Sequence, residues 1–264
     1  MKTRTLGRTG YQVSSMGFGC GGFWGYPIFD ETRALGLIHQ AIDLGVTFFD
    51  TGASYSGGNA EIRLGKALKG RDTSALLVGT KAGTVIRNGK LAKDFSRASI
   101  FEQVENSLRV LHLDCLPLLQ LHAPRIRDLN DDVFEALRLL KQQGKVRLIG
   151  ASCDGKELEK ALSFRQLDVV MLTFNLIEKH AIRQVKMASE QGCGVLVKSP
   201  LCHTLYSNEI FKFRKLSDVW YFLRVLKNYR LQLFEGFKYR FVNSIDGWKG
   251  HDIALLYALA DGVS

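Results

Sequence analysis

Short apolar runs alternate with longer amphipathic segments along most of this chain. The apolar runs are Met16–Gly19, Val46–Asp50, Leu76–Lys81, Leu116–His122, Val146–Ser152, Val169–Thr173 and Val195–Lys198. Apolar residues recur at the 3.6-residue spacing of helices over Glu31–Leu44, Ala60–Leu68, Ser99–Leu111, Asp131–Gln143 and Glu178–Gln191. This alternation predicts βαβ units and a parallel sheet of about seven strands, either doubly wound or in a (β/α)8 barrel.

Polar residues stand at the carboxyl ends of most of these apolar runs. They are Asp50, Lys81, His122, Ser152, Lys198 and Ser199. Parallel α/β folds collect their functional groups at this edge of the sheet. Any one of these residues could be an ordinary polar residue at a strand end, but the whole set at one edge indicates a functional site.

The stretch Gly17–Gly22, GFGCGG, matches the G-x-G-x-x-G pattern of dinucleotide-binding sites. In such sites the glycines open a helix directly, and an acidic residue follows about 20 residues later. Here the glycines are followed by FWGYPIFD, which contains Pro27, and Asp50 lies further along the chain. We therefore interpret the glycines as a flexible loop after the first strand, not as a Rossmann site.

Four polar residues suit proton donation to a carbonyl group. The hydroxyl of Tyr55 is a weak acid unless positive charge stabilises its phenolate, and Lys81 would supply that charge. Asp50 would keep the lysine charged and oriented, and His122 can hydrogen-bond a carbonyl oxygen. No serine, cysteine or metal set is suited to attack the carbonyl carbon, so hydride from a nicotinamide is the natural complement.

The same residues lie in motifs that resemble the aldo-keto reductase family. The motifs are FFDTGASYSGGNAEIRLGKAL, LVGTK, SLRVLHLDCLPLLQLHAP, KVRLIGAS and GVLVKSPL, and the likeness covers nearly all of residues 2–261. It implies an α/β fold, a (β/α)8 TIM barrel forming a single domain over residues 1–264. In the family an N-terminal β-hairpin closes the bottom of the barrel, and TRTLGRTGYQVS fits that hairpin.

The resemblance also implies a role for each site residue. Tyr55 would be the general acid and base, tuned by Lys81 and Asp50, and His122 would orient the carbonyl. The implied reaction interconverts an aldehyde, ketone or sugar with its alcohol, using NADPH, or NADH, and no metal. The residues implied in cofactor binding are Gly22, Phe23, Asp50, Ser152, Cys153, Asn175, Lys198, Ser199, Pro200 and Leu201.

Three positions depart from the family pattern around the nicotinamide. Cys153 stands where the family often has Asn, and Met171 where it often has Gln; both usual residues hydrogen-bond the carboxamide. Cys is a weak donor and Met a weak acceptor, so Asn175 is a candidate substitute. Lys198 stands in place of a stacking aromatic residue, as in some branches of the family.

The chain ends at IALLYALADGVS, before the eighth strand and the C-terminal segment that the family has. Either the protein continues beyond this sequence, or it is a C-terminally short member with an open barrel and two exposed strand edges. Two functions stay open: an NADPH-dependent carbonyl oxidoreductase, or a noncatalytic nicotinamide-sensing or inactive barrel.

Charge and composition narrow the choice of partners. The net charge is +10, but the Lys and Arg residues are spread along the chain, which favours a basic soluble protein over a polyanion binder. No apolar run approaches the roughly 18 residues of a membrane span, and the first ten residues lack the apolar core of a signal peptide. The five cysteines form no CxxC pair. We expect a cytoplasmic protein that acts on a small molecule, with neither nucleic acid nor membrane as partner.

Overall fold

The structure is a computed structural model that describes residues 1–178, 181–214 and 216–260. Its strands are β1 (Thr3–Thr5), β2 (Gln12–Ser14), β3 (Phe18–Gly19), β4 (Phe48–Asp50), β5 (Leu77–Ala82), β6 (Thr84–Arg87), β7 (Lys90–Lys93), β8 (Leu116–His122), β9 (Val146–Ser152), β10 (Val169–Thr173) and β11 (Gly194–Lys198). Its α-helices are α1 (Glu31–Asp43), α2 (Asn59–Leu68), α3 (Arg97–Leu111), α4 (Asp131–Gln142), α5 (Gly155–Ser163), α6 (Ile182–Glu190), α7 (Leu216–Asn228), α8 (Arg230–Gly236) and α9 (Gly250–Ala258).

One sheet contains seven strands in the order β11-β10-β9-β8-β5-β4-β3. The pairings of β3 with β4, β4 with β5, β5 with β8, β8 with β9 and β9 with β10 are all parallel. The order follows the chain without the reversal that marks a doubly wound sheet, because β6 and β7 form a separate antiparallel hairpin. The fold is therefore that of a (β/α)8 barrel that lacks part of its circle.

The predicted N-terminal hairpin is present. Strands β1 and β2 pair antiparallel, with Thr3 opposite Ser14, around a 3₁₀ turn at Gly7–Thr9. Leu6 and Val13 are buried in one apolar cluster whose other members come from the amino-terminal halves of strands in the large sheet. Those members include Phe48, Leu77, Leu118, Leu148 and Val169. The hairpin thus covers the end of the sheet opposite to the predicted site.

Helix boundaries differ from the predicted ones by a few residues. Helix α3 begins at Arg97, not at the predicted Ser99, because the hydroxyl of Ser96 caps it by accepting the Ser99 backbone N–H at 3.3 Å. Glycines follow the strand β3 as expected of a loop: Gly22–Gly25 is a 3₁₀ turn, and α1 begins only at Glu31. None of the helices in the described ranges is long and apolar enough to span a membrane.

The chain divides into two compact units. The first comprises Met1–Met171 and Met187–Leu196, and the second comprises the described residues of Leu172–Lys186 and Val197–Val263. The second unit has its own apolar clusters, one of which is built from Cys202, Leu205, Ile210, Val225 and Leu233. The single domain expected over residues 1–264 stays a prediction.

Candidate active site

A buried ion pair forms the centre of the site. The Nζ of Lys81, on β5, lies 2.6 Å from each carboxylate oxygen of Asp50, the last residue of β4. It also donates to the backbone oxygen of Thr51 at 2.8 Å. The side chain of Lys81 is 1% exposed and that of Asp50 is 15% exposed. The ammonium is therefore held in one place, with the carboxylate beside it.

Tyr55 lies directly over this lysine. The Nζ of Lys81 is 4.7 Å from the centre of the Tyr55 ring. Two glycines make room for the ring: a Cβ at Gly21 would lie 2.8 Å from Tyr55 Cδ2, and one at Gly52 would lie 3.1 Å from Cδ1. Side chains at these two positions would displace the ring, which gives the two glycines a steric reason beyond chain flexibility.

His122 and Ser152 lie at the ends of the next two strands of the first unit. The half-buried His122 ends β8, and its ring stands edge-on to the ring of Tyr55 with centroids 5.4 Å apart. Ser152 ends β9, is the register partner of His122, and is followed by the buried Cys153. The predicted strand ends thus meet at one edge of the sheet.

The Ser152 hydroxyl allows a test of whether a nicotinamide fits here. Ser152 is 3% exposed, and its hydroxyl can both donate and accept a hydrogen bond. This group therefore fits a ligand carboxamide, which offers both a donor and an acceptor. The backbone N–H of Cys153 is already bonded to the oxygen of Met171 at 3.1 Å.

The loop after β3 brings Gly22 and Phe23 towards Tyr55. The oxygen of Gly22 accepts a hydrogen bond from the hydroxyl of Ser56, the residue after Tyr55, at 2.8 Å. Phe23 is 63% exposed, and its ring contacts that of Phe29 edge-on. Phe23 is therefore free to contact a ligand.

The remaining cofactor candidates belong to the second unit. Asn175 is buried, and its amide nitrogen donates to Glu178 at 3.0 Å and to the oxygen of Ser199 at 3.3 Å. Its Oδ1 accepts two backbone N–H groups, so a bond to a carboxamide would have to replace one of these bonds. Lys198 ends β11, and Ser199, which has φ +55°, is followed by Pro200 and Leu201. Their roles in cofactor binding stay a prediction.

Sequence reasoning missed a glutamine beside the ion pair. Gln120, on β8, is fully buried, and its Nε2 donates to Asp50 at 3.2 Å. Its Oε1 has no hydrogen-bond partner among the described residues. The signal was present, since Gln120 is the only amide within the apolar run LPLLQLH.

A second carboxyl group lies behind the site and was also missed. Glu61, on α2, is fully buried and accepts hydrogen bonds from the hydroxyls of Thr80 and Ser107. Burial raises the pKa of Glu61, while the two hydroxyls and Lys81 oppose that shift. An acidic residue on the apolar face of a predicted helix was the signal for it.

Cys20 is a buried thiol near the ion pair. Burial raises the pKa of this thiol well above its ordinary value, and Asp50 adds to the effect while Lys81 opposes it. The thiol is therefore neutral at physiological pH and unsuited to act as a nucleophile. The ammonium of Lys81, the hydroxyl of Tyr55 and the imidazole of His122 lie together, a set that can deliver a proton to an oxygen atom.

Comparisons with known proteins point to one family. The model of the aldo/keto reductase family matches residues 15–259. The aldo-keto reductase YhdN of Bacillus subtilis is 30% identical over 220 residues, which are 80% of this chain and 65% of that protein. The NADH-specific methylglyoxal reductase of Escherichia coli is 28% identical over 229 residues, 80% of this chain and 70% of that protein.

Solved structures give the same result. The holo form of aldo-keto reductase AKR11C1 from Bacillus halodurans matches with a TM-score of 0.82 and 30% identity. That match covers 100% of this chain and 84% of the other.

Proposed function

The chain belongs to the aldo/keto reductase family, a family of nicotinamide-dependent oxidoreductases, and from this we propose its reaction. We propose that it interconverts a carbonyl compound and its alcohol, with NADPH as cofactor and Tyr55 as general acid and base. The substrate would be a small aldehyde, ketone or sugar. The five free cysteines support a reducing, cytoplasmic location.

One observation carries the proposal. Lys81 Nζ is 2.6 Å from both oxygens of Asp50 and 4.7 Å from the centre of the Tyr55 ring. An ion pair with one buried partner is costly to build unless its charges are used or fully compensated. Here the positive member lies against Tyr55, the proposed proton donor.

The chain's own residues would handle the proton. Tyr55 donates the proton of its hydroxyl to the carbonyl oxygen as negative charge develops there. Lys81 stabilises the phenolate that remains, and Asp50 holds Lys81 in place. His122 hydrogen-bonds the same oxygen and fixes its position. A bound nicotinamide supplies the hydride that the carbonyl carbon receives; in the oxidative direction Tyr55 takes the proton back.

The cofactor would be held by residues at the carboxyl ends of the later strands. Ser152, with its hydroxyl at the end of β9, suits the carboxamide, and Lys198 and Ser199 suit the phosphates. We propose NADPH, and the basic net charge of +10 supports a cofactor with an additional phosphate. Because one relative is named as NADH-specific, both cofactors belong in the test.

Tyr55→Phe tests the proposal. The wild type should oxidise NADPH in the presence of 4-nitrobenzaldehyde, followed by absorbance at 340 nm. The variant should lose about 10²-fold or more in kcat and keep its cofactor Kd, measured by intrinsic fluorescence. Tyr11→Phe is the matched control, because Tyr11 lies on the N-terminal hairpin segment and its hydroxyl accepts from Arg147. That control should keep its kcat.

Comparable turnover in Tyr55→Phe would overturn the role of Tyr55. Saturable cofactor binding with no turnover of any carbonyl compound would favour the alternative, a noncatalytic nicotinamide-sensing barrel.

A further inference from the structure

Two cations lie near each other after the hairpin and β8: Lys93 bonds to the backbone oxygen of His122, and Arg125 is close enough to Lys93 to act on its charge. Neither pairs with a carboxylate in the part of the chain that the structure describes. Lys93 is the last residue of the β6–β7 hairpin, and its Nζ donates to the oxygen of His122 at 2.7 Å and to the hydroxyl of Thr84 at 2.8 Å. Arg125 follows in the loop after β8, three residues beyond His122.

Lys93 is fixed in place, but its charge is not neutralised. An ammonium has three donors, and Lys93 uses two of them on neutral oxygens. The side chain is half-buried, and burial lowers its pKa. Arg125 lowers that pKa further, and only Asp128 opposes the shift. Lys93 thus offers one more donor and a partly desolvated positive charge.

Arg125 is also available. Its guanidinium makes no side-chain hydrogen bond or ion pair to any described residue, although its backbone N–H donates to Asp128. Two other arginines in this region are paired with carboxylates. Nε of Arg127 lies 4.0 Å from Oδ1 of Asp128, and Arg87 on the hairpin pairs with Asp94. Two like charges close together are unfavourable, and Asp128 offsets this only in part at Lys93, so a bound anion would gain from both.

The position of these cations assigns them to the substrate and not to the nicotinamide. His122 contacts Tyr55 by its ring and Lys93 by its backbone oxygen. In the sheet, β5, which leads into the hairpin, lies on one side of β8, and β9 with Ser152 lies on the other. A carbonyl group held by Tyr55 and His122 would therefore have these cations on the side away from Ser152.

We propose that Lys93 and Arg125 bind an anionic substituent, a carboxylate or a phosphate, of the carbonyl substrate. The inference rests on the proposed function for the reaction and adds the substrate class. Lys93 also positions His122 through the bond to its backbone oxygen, whereas Arg125 acts on the anion alone.

The test compares 4-carboxybenzaldehyde with 4-nitrobenzaldehyde, which has nearly the same shape and no charge. The quantity measured is the ratio of their kcat/KM values. Because the difference in intrinsic reactivity is the same for every variant, only the change of this ratio between variants matters. D-glyceraldehyde 3-phosphate against D-glyceraldehyde, measured in the same way, distinguishes a phosphate from a carboxylate.

Arg125→Gln and Lys93→Met should each lower the ratio about tenfold, as expected for the loss of a charge-assisted hydrogen bond. Arg125→Lys should restore most of it, and added salt should reduce it in the wild type. Arg127→Gln is the matched control, since Arg127 lies two residues away and is paired with Asp128; its ratio should equal that of the wild type.

An unchanged ratio in both Arg125→Gln and Lys93→Met would overturn the inference and leave the proposed function intact. If the wild type reduces neither aldehyde, the proposed function fails instead. Calorimetric binding of 4-carboxybenzyl alcohol and 4-nitrobenzyl alcohol then decides the inference separately. Weaker binding of 4-carboxybenzyl alcohol by Arg125→Gln than by the wild type supports it, and equal binding of that compound by the two proteins contradicts it.

Discussion

Strand β5 places two neighbouring residues against two very different carboxyl groups. Lys81 points into the site, and its ammonium donates to both carboxylate oxygens of Asp50. Thr80, on the other face, donates its hydroxyl to Glu61, which a second hydroxyl from Ser107 on α3 also reaches. Both carboxyl groups are largely buried; among the described residues, Asp50 has an ammonium partner, whereas the partners of Glu61 are hydroxyls.

The difference shows how the same chemical group takes different roles beside two neighbouring residues of one strand. The carboxylate of Asp50 is paired with Lys81 and holds the positive charge of that lysine against the ring of Tyr55. Burial raises the pKa of Glu61, whose described partners are hydroxyls. Its hydrogen bonds to Thr80 and Ser107 connect α2 with β5 and α3. We call the surroundings of Lys81 and Asp50 the site side, and those of Thr80 and Glu61 the helix side. Substitutions on the site side should mainly reduce kcat, and substitutions on the helix side should mainly reduce the free energy of unfolding.

Lys81→Met should have the largest effect. Removing the ammonium takes away the charge that stabilises the Tyr55 phenolate, so kcat should fall by about 10²–10⁴. The free energy of unfolding should fall by about 3 kcal/mol, because Asp50 keeps a largely buried charge without its partner. Steady-state kinetics and urea denaturation measure the two effects.

Lys66→Met is the matched control for an ion pair. Lys66 pairs with Glu31 at the surface, with side chains 48% and 45% exposed, so the loss should be less than about 1 kcal/mol. A kcat for Lys81→Met within tenfold of the wild type would contradict the account of the site side.

Gly65→Ala should come next, acting on the helix side. Gly65 lies one turn after Glu61 on α2, and a Cβ there would overlap the backbone oxygen of Val110 and lie 3.0 Å from Leu111 Cα. Forcing α3 away should cost about 2 kcal/mol, with kcat retained well below Tm.

Gly36→Ala provides the opposite case. Gly36 lies in α1 with nothing within 4 Å of the added Cβ, so the substitution should stabilise the protein by about 0.5–1 kcal/mol. Equal effects at Gly36 and Gly65 in thermal unfolding would show that α2 and α3 are not held tightly.

Glu61→Gln should have the smallest effect, and the effect should depend on pH. A raised carboxyl pKa means that the folded chain holds this proton more tightly than the unfolded chain. The free energy of unfolding of the wild type should therefore fall, relative to the variant, as pH rises from the ordinary value of 4.5 to the raised one. Urea denaturation from pH 4.5 to 8 measures this, and a constant difference across that range would contradict a raised pKa.

Strand ends could be predicted well from the sequence, because apolar runs have sharp polar ends. Parallel strands then bring Asp50, Lys81 and His122 to one edge. The family resemblance fixed the choice between a barrel and a doubly wound sheet, which local periodicity leaves open.

The parts that were missed depend on contacts between distant segments. Gln120 and Glu61 interrupt apolar patterns, but only the fold shows which partners they meet. The second strand of the β6–β7 hairpin has the sequence KLAK, a polar pattern that resembles a loop. The proximity of Lys93 to His122 therefore could not be predicted from the sequence.

The most direct test of the account is to follow the hydride itself in the wild type and in Tyr55→Phe. The protein is mixed with NADPH that carries deuterium at C4 of the nicotinamide, in each of its two stereochemical forms, and with 4-nitrobenzaldehyde; the alcohol is analysed by mass spectrometry. The account predicts one deuterium on the carbinol carbon from one of the two labelled forms with the wild type, and almost no alcohol with Tyr55→Phe. Alcohol without deuterium from either form, or equal labelled product from both proteins, would contradict it.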